Sequence, residues 1–178
     1  FGLEAGKTGG AMTRGLGGNV TPPKDTGLRL ASLEATYTDL GRGPAGSLAG
    51  RSTVQLRSRR LEAENGAVTG AKVSGNHVGS INHGHTVKFT NLNLADTASV
   101  TARVASGGVG GDIELRAGSA TGELLATLKV ENTGKWDAWK EVTAELKPPA
   151  GRTDVVAVFV NPGKGGLMNV GWFQFNAK

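Results

Sequence analysis

Asn132-Thr133-Gly134-Lys135-Trp136-Asp137-Ala138-Trp139 holds a tryptophan inside a run of turn-forming residues, and nothing local obliges its indole to be buried. An indole is a flat apolar surface on which the C–H face of a pyranose ring stacks well. Sugar binding is therefore the first chemistry these residues suggest, ahead of any reaction. A stacking platform works with amides that hydrogen-bond hydroxyls. Asn161 and Asn169, around the loop Asn161-Pro162-Gly163-Lys164-Gly165-Gly166, could supply them. Asn161 before a proline is equally an ordinary turn residue. The other two tryptophans read as packing residues, Trp139 opening an alternating strand and Trp172 lying within an apolar run.

Glu62 and Glu64 stand two residues apart at the start of an expected strand, on one side of it, flanked by Leu61 and Ala63. Paired carboxylates repel unless a cation neutralises them, and hard oxygen ligands in that arrangement suit Ca²⁺. Two solvated surface acids explain the pattern as well. His83 and His85, in Asn82-His83-Gly84-His85, would share a strand face and could ligate a metal. No third or fourth ligand stands near them, and the segment reads as a turn. Neither a Gly-x-Ser-x-Gly elbow, a phosphate loop nor a His-Glu-x-x-His helix occurs. The acids form no recognisable glycosidase pair. The expectation is a binding protein without catalytic residues.

The elements that must position these groups are strands. Of 178 residues, 29 are glycine and 38% are apolar, a balance that favours many tight turns over long helices. Cysteine is absent, so no disulfide or thiolate framework exists. No apolar run approaches the roughly 20 residues that span a bilayer, and no membrane partner is expected. The net charge of +5 belongs wholly to residues 1–60, which carry nine Lys/Arg against four acids. The run Arg57-Ser58-Arg59-Arg60 lacks the interleaved aromatics of a single-strand platform, so nucleic acid is not an expected partner. Phe1 opens the chain without a signal-peptide pattern, which reads as a processed product or a piece of something longer.

Three regions are expected: a glycine-rich arm or linker at 1–27, a short β connector at 28–60, and a β-sandwich at 61–178. The connector holds strand candidates at Leu28–Tyr37 and Ser52–Arg59. Beyond Leu61, apolar side chains fall at every second residue in Val87/Phe89, Val100/Ala102/Val104, Ile113/Leu115, Leu124/Ala126/Leu128/Val130 and Val142/Ala144/Leu146. Val155–Val160 is apolar on both faces, as a covered central strand would be. Glycine and proline clusters punctuate the runs. Short alternating strands at this spacing predict an all-β sandwich of two antiparallel sheets.

Residues 61–178 resemble family 6 carbohydrate-binding modules. The resemblance is carried by Leu61-Glu62-Ala63-Glu64-Asn65-Gly66, Val78-Gly79-Ser80-Ile81-Asn82-His83-Gly84, Ala102-Arg103-Val104-Ala105-Ser106-Gly107-Gly108, Ile113-Glu114-Leu115-Arg116, Thr133-Gly134-Lys135-Trp136-Asp137-Ala138-Trp139 and Val170-Gly171-Trp172-Phe173-Gln174-Phe175, in the family's order. It implies a calcium-stabilised jelly roll that binds polysaccharide without catalysis, secreted, bacterial, and commonly joined to an enzyme domain. In the family's loop-end site Trp136 would be the platform and Asn161 the hydroxyl partner, with Asn169 the alternative. Ser80 stands where the second aromatic is usual, and Gly84-His85-Thr86 replaces Gly-Asp-Trp. Calcium would be held by Glu62, Glu64 and, through its carbonyl alone, Gly171. The stretch from Glu34 to Val54 resembles the connector before such modules in multidomain bacterial sugar-processing proteins. Ser80 also motivates a competing expectation, a structural or protein-interaction sandwich whose sugar site has been lost.

Overall fold

Side chains in this chain sort by the pleat. Along Thr97–Ala105, Val100, Ala102 and Val104 are fully buried, while Thr101 and Arg103 between them keep partial exposure. That is the pattern of a strand with one face on a core. A computed structural model describes residues 2–5, 13–14, 30–38, 46, 49–163 and 165–178. Its internal contacts divide the chain into two units, Phe1–Ser58 and Arg59–Lys178.

The first unit is an antiparallel sheet of β1 (Gly2–Ala5), β2 (Thr13–Arg14), β3 (Leu30–Thr38) and β4 (Ala49–Arg57), in the order β2-β1-β3-β4. Within residues 1–27, read above as an arm, Gly2–Ala5 and Thr13–Arg14 are thus strands. The remainder of that stretch lies outside the described residues.

The second unit is a sandwich of two antiparallel sheets. One runs β13-β10-β15-β8-β7, built from β13 (Lys140–Glu145), β10 (Thr97–Ala105), β15 (Asn169–Ala177), β8 (His77–Gly79) and β7 (Lys72–Ser74), with β5 (Arg60–Glu62) also paired to β15. The other runs β12-β11-β14-β9-β6, built from β12 (Leu124–Val130), β11 (Gly111–Ala117), β14 (Arg152–Val160), β9 (Thr86–Asn93) and β6 (Ala67–Thr69). Between β9 and β15 the chain passes repeatedly from one sheet to the other, and the jelly-roll sandwich expected from sequence is what forms.

Phe159, Phe173, Ile81, Ile113, Leu115, Leu128, Leu167 and Met168 fill the space between the sheets. Phe89 on one sheet meets Phe173 on the other edge-to-face at 5.9 Å, a contact of about 0.5–1.5 kcal/mol beyond the area it buries. β14 lies centrally between β11 and β9, and Val156, on the face away from Val155 and Ala157, is still only 4% exposed. The two-sided apolar run predicted this. β6, β7 and β8, three residues each, are too short for alternation to reveal.

Candidate functional site

Antiparallel pairing brings four loops to one end of the sandwich: residues 80–85, 106–110, 131–139 and 161–168. The hub is Ser106, fully buried at the end of β10. Its hydroxyl donates to the Leu167 carbonyl at 2.5 Å and accepts from the Gly108 N–H at 3.3 Å. Thr133 clasps the same residue. Its N–H donates to the Ser106 carbonyl at 2.8 Å, and its Oγ1 accepts from the Ser106 N–H at 2.9 Å. Asn132 adds a bond from Nδ2 to the Gly108 carbonyl at 2.5 Å, and its Oδ1 accepts from Gly134 N–H at 2.6 Å. Polar groups at a loop-rich end must find partners within the loops, and here they tie the Trp136 turn to the β10–β11 loop.

Trp136 is 45% exposed. Its indole lies close against glycine backbone. A Cβ added to Gly107, Gly108 or Gly166 would lie 3.0, 2.8 or 3.0 Å from ring atoms of Trp136. At Gly108 it would also lie 2.1 Å from the Gly166 carbonyl oxygen. Only glycine permits so close an approach. The result is a tryptophan seated among glycines that stays 45% exposed. Val109, 50% exposed in the same loop, extends the apolar surface, and its N–H donates to the Gly166 carbonyl at 3.2 Å.

Asn169 serves this platform from beneath: its Nδ2 donates to the Trp136 carbonyl at 2.8 Å. Sequence reasoning placed it as a hydroxyl partner; in the structure one of its two amide N–H groups positions the tryptophan. Asn161 is half-buried at the end of β14. Its Nδ2 donates to the Gly110 carbonyl at 3.2 Å, and its Oδ1 accepts from Gly163 N–H at 2.9 Å. A primary amide has two donors and two acceptor lone pairs, so one of each remains for a ligand. Ser80 is exposed, follows β8 directly, and adopts φ +53°. Its loop is joined to the 161–168 loop by the Leu167 N–H, which donates to the Ile81 carbonyl at 2.8 Å. Trp136, Asn161, Asn169 and Ser80 thus belong to one cluster of loops. Ser106, Asn132, Thr133 and the seating glycines were not singled out from sequence. Their signal was modest, a Ser before Gly-Gly at a strand end and an Asn-Thr before the platform.

The two histidines of the 80–85 loop each accept a backbone hydrogen bond on Nδ1, His83 from Asn161 N–H and His85 from Asn82 N–H, both at 3.1 Å. Those lone pairs are not available to chelate a metal together. Among the described residues no group of three His, Cys, Asp or Glu could hold a metal ion.

Glu62 lies on β5, Glu64 in the turn that follows it, and Gly171 on β15, the strand that pairs with β5. The strand expected to carry both glutamates carries only Glu62. The strand stops at Glu62, and Ala63–Asn65 is a 3₁₀ turn, so the two-residue alternation of a strand no longer applies. Arg60 Nε donates to Glu62 Oε1 at 2.9 Å, and its guanidinium lies 4.5 Å over the Trp172 ring. Glu64 Oε2 is buried without a hydrogen-bond partner. Gly171 is buried beside Trp172, the register partner of Glu62. Trp172 packs as expected, 8% exposed. Trp139 precedes β13 and carries the Arg103 guanidinium 4.6 Å over its ring and His77 edge-on at 5.6 Å.

Residues 45–177 match the family described as carbohydrate binding module (family 6). The chain is 39% identical, over 102 residues, to Endo-1,4-beta-xylanase A of Thermoclostridium stercorarium, a match covering 57% of this chain and 15% of the xylanase. A family 6 module from Clostridium cellulolyticum, solved in complex with xylose, aligns with TM-score 0.64 and 32% identity over 67% of this chain and 99% of its own. A β-1,3-glucan-binding member from Bacillus halodurans aligns with TM-score 0.63 and 38% identity, over 67% and 96%. The chain belongs to family 6 of the carbohydrate-binding modules, and its sandwich is a non-catalytic carbohydrate-binding module. It spans between 15% and 23% of the length of the curated relatives it matches.

Proposed function

We propose that this module binds a β-linked cell-wall polysaccharide, xylan first among them, by stacking one sugar ring on Trp136 and hydrogen-bonding its hydroxyls with Asn161. The observation that carries the reading is the seated, partly exposed indole in the same cluster of loops as an amide with one donor and one acceptor to spare. Its similarity to a xylanase segment and to a module solved with xylose favours xylan. Ser80 supplies no opposing ring, so the site is a shelf, not a clamp, and it relies on repeated sugar units for retention. A polymeric ligand implies action outside the cell, and the short span against its relatives supports attachment to a carbohydrate-active enzyme.

The test is affinity electrophoresis of wild type and Trp136→Ala against xylan, β-1,3-glucan, mixed-linkage glucan, cellulose derivatives and agarose. Xylan is expected to retard the wild type, with the apparent affinity falling at least about tenfold in the variant, the scale on which central aromatic anchors act. Retardation that survives unchanged in Trp136→Ala would move the site elsewhere. Absence of retardation on every polysaccharide would favour a scaffold module over a sugar binder.

We also infer a calcium site at the β5–β15 pair. A carboxylate oxygen buried without a partner is costly unless a cation meets it, and Glu64 Oε2 is in that position. Glu64 and Glu62 would hold the ion together with the Gly171 carbonyl, and calcium accepts carbonyls and water as its further ligands. Its role there is structural, joining the start of the sandwich to its last strand.

A further inference from the structure

We infer that His83 is the positioning residue of Asn161, and that it makes glycan binding by this module sensitive to acid. The inference rests on the proposed loop-end sugar site and adds a residue to it. Asn161 is fastened by three hydrogen bonds. Two come from its side-chain amide, to Gly110 and Gly163. The third is its backbone N–H, which donates to His83 Nδ1 at 3.1 Å across two loops.

A backbone N–H can only donate, so Nδ1 must present its lone pair and the ring must be neutral with its proton on Nε2. Protonating the ring puts N–H against N–H at the same place. The bond is then lost and the two groups repel. The neighbouring ties between these segments are backbone to backbone and indifferent to pH: Gly84 N–H to the Phe159 carbonyl at 2.8 Å, and Phe159 N–H to the His85 carbonyl at 3.0 Å. Acid therefore frees the end of β14 at Asn161 while the sandwich beneath stays paired. The amide that meets the sugar keeps its bonds to Gly110 and Gly163 but loses the backbone anchor that helps fix its aim.

The charged and titratable groups on the packed elements are few. His85, in the same loop, holds Asn82 N–H in the same manner. Asp112 of β11 is the register partner of Val160, and Lys129 of β12 is in turn the partner of Asp112. Lys88 of β9 is engaged with Asp154. Lys164 lies outside the described residues.

The experiment measures the xylan affinity of the full chain by titration calorimetry at pH 7.5 and pH 5.0, for wild type, His83→Asn and His83→Ala. In parallel, the ¹H–¹⁵N resonance of the Asn161 amide is followed over the same range. Asparagine keeps an acceptor oxygen near the place of Nδ1 and does not titrate. The wild type is expected to weaken about three- to tenfold in acid. His83→Asn should bind nearly equally at both values, and His83→Ala should bind weakly at both. The Asn161 amide shift should follow the His83 ring titration in the wild type and stay level in His83→Asn. An equal pH dependence in wild type and His83→Asn, or full affinity of His83→Ala at pH 7.5, would overturn the inference. Should no polysaccharide bind the wild type at either pH, the sugar reading fails. The Asn161 resonance then decides the positioning alone, a flat response overturning it and a response that tracks His83 upholding it.

Discussion

Ser80 sits in the left-handed region with φ +53°, where an L side chain is strained and glycine is not. Its hydroxyl makes no hydrogen bond among the described residues, while its carbonyl accepts one from Asn82 Nδ2 at 3.4 Å. What distinguishes this exposed serine, at the place of an expected aromatic, is its left-handed backbone. Ser80→Gly should therefore stabilise the fold by about 1 kcal/mol and leave xylan affinity unchanged, as thermal melting and calorimetry can check. A loss of affinity would instead place the hydroxyl on the sugar. Trp136 illustrates the other residue-scale lesson. Its type and its turn neighbours announced a platform. Its seat, made of glycines from two other loops, did not show in the local sequence.

At the scale of elements, β9 and β14 are held in register at the far end of the sandwich by Asp154. Lys88 Nζ lies 2.8 Å from Asp154 Oδ2, and the Asn91 N–H donates to Asp154 Oδ1 at 2.9 Å, where Asn91 adopts φ +55°. The hydrogen bond from Lys88, with that from the Asn91 N–H, holds this carboxyl below the usual carboxylate range. A lowered folded value contributes stability above the unfolded carboxylate pKa of about 3.9, and that contribution is lost as pH falls through the folded value. Asp154→Asn should accordingly melt below the wild type at pH 7, with the difference shrinking below about pH 4. A gap that persists at pH 2 would show that charge is not what Asp154 provides. Alternation in Val155–Val160 and Val87/Phe89 revealed both strands. The register shift between Thr153 and Val155, at Asp154, was invisible, because it depends on how two strands distant in sequence are staggered.

At the scale of the whole molecule, the calcium inference is a statement about linkage. An ion that binds the folded sandwich and not the unfolded chain adds about 2.7 kcal/mol at a hundredfold excess over its dissociation constant. Millimolar CaCl₂ should raise the melting temperature by several degrees over EDTA, and Glu64→Gln should abolish the response. Identical melting in CaCl₂ and EDTA would leave Glu64 Oε2 to be satisfied by water. The sequence paired Glu62 with Glu64 by a strand period that the 3₁₀ turn interrupts. The structure leaves one oxygen of Glu64 buried without a partner, and gives Glu62 an arginine partner in its neighbour Arg60.

From the sequence alone came the period-two burial that makes strands, the two-sided apolar run of the central strand, the turn that holds Trp136, and hence an all-β sandwich. These are local properties, since the pleat and the turn propensities act over a few residues. Tertiary structure alone decided which polar groups meet. Ser106 reaches Leu167, Asn169 reaches Trp136, and His83 reaches Asn161 across separations of 61, 33 and 78 residues. Such meetings depend on strand order and register, which closure of a common core selects and no short window of residues encodes.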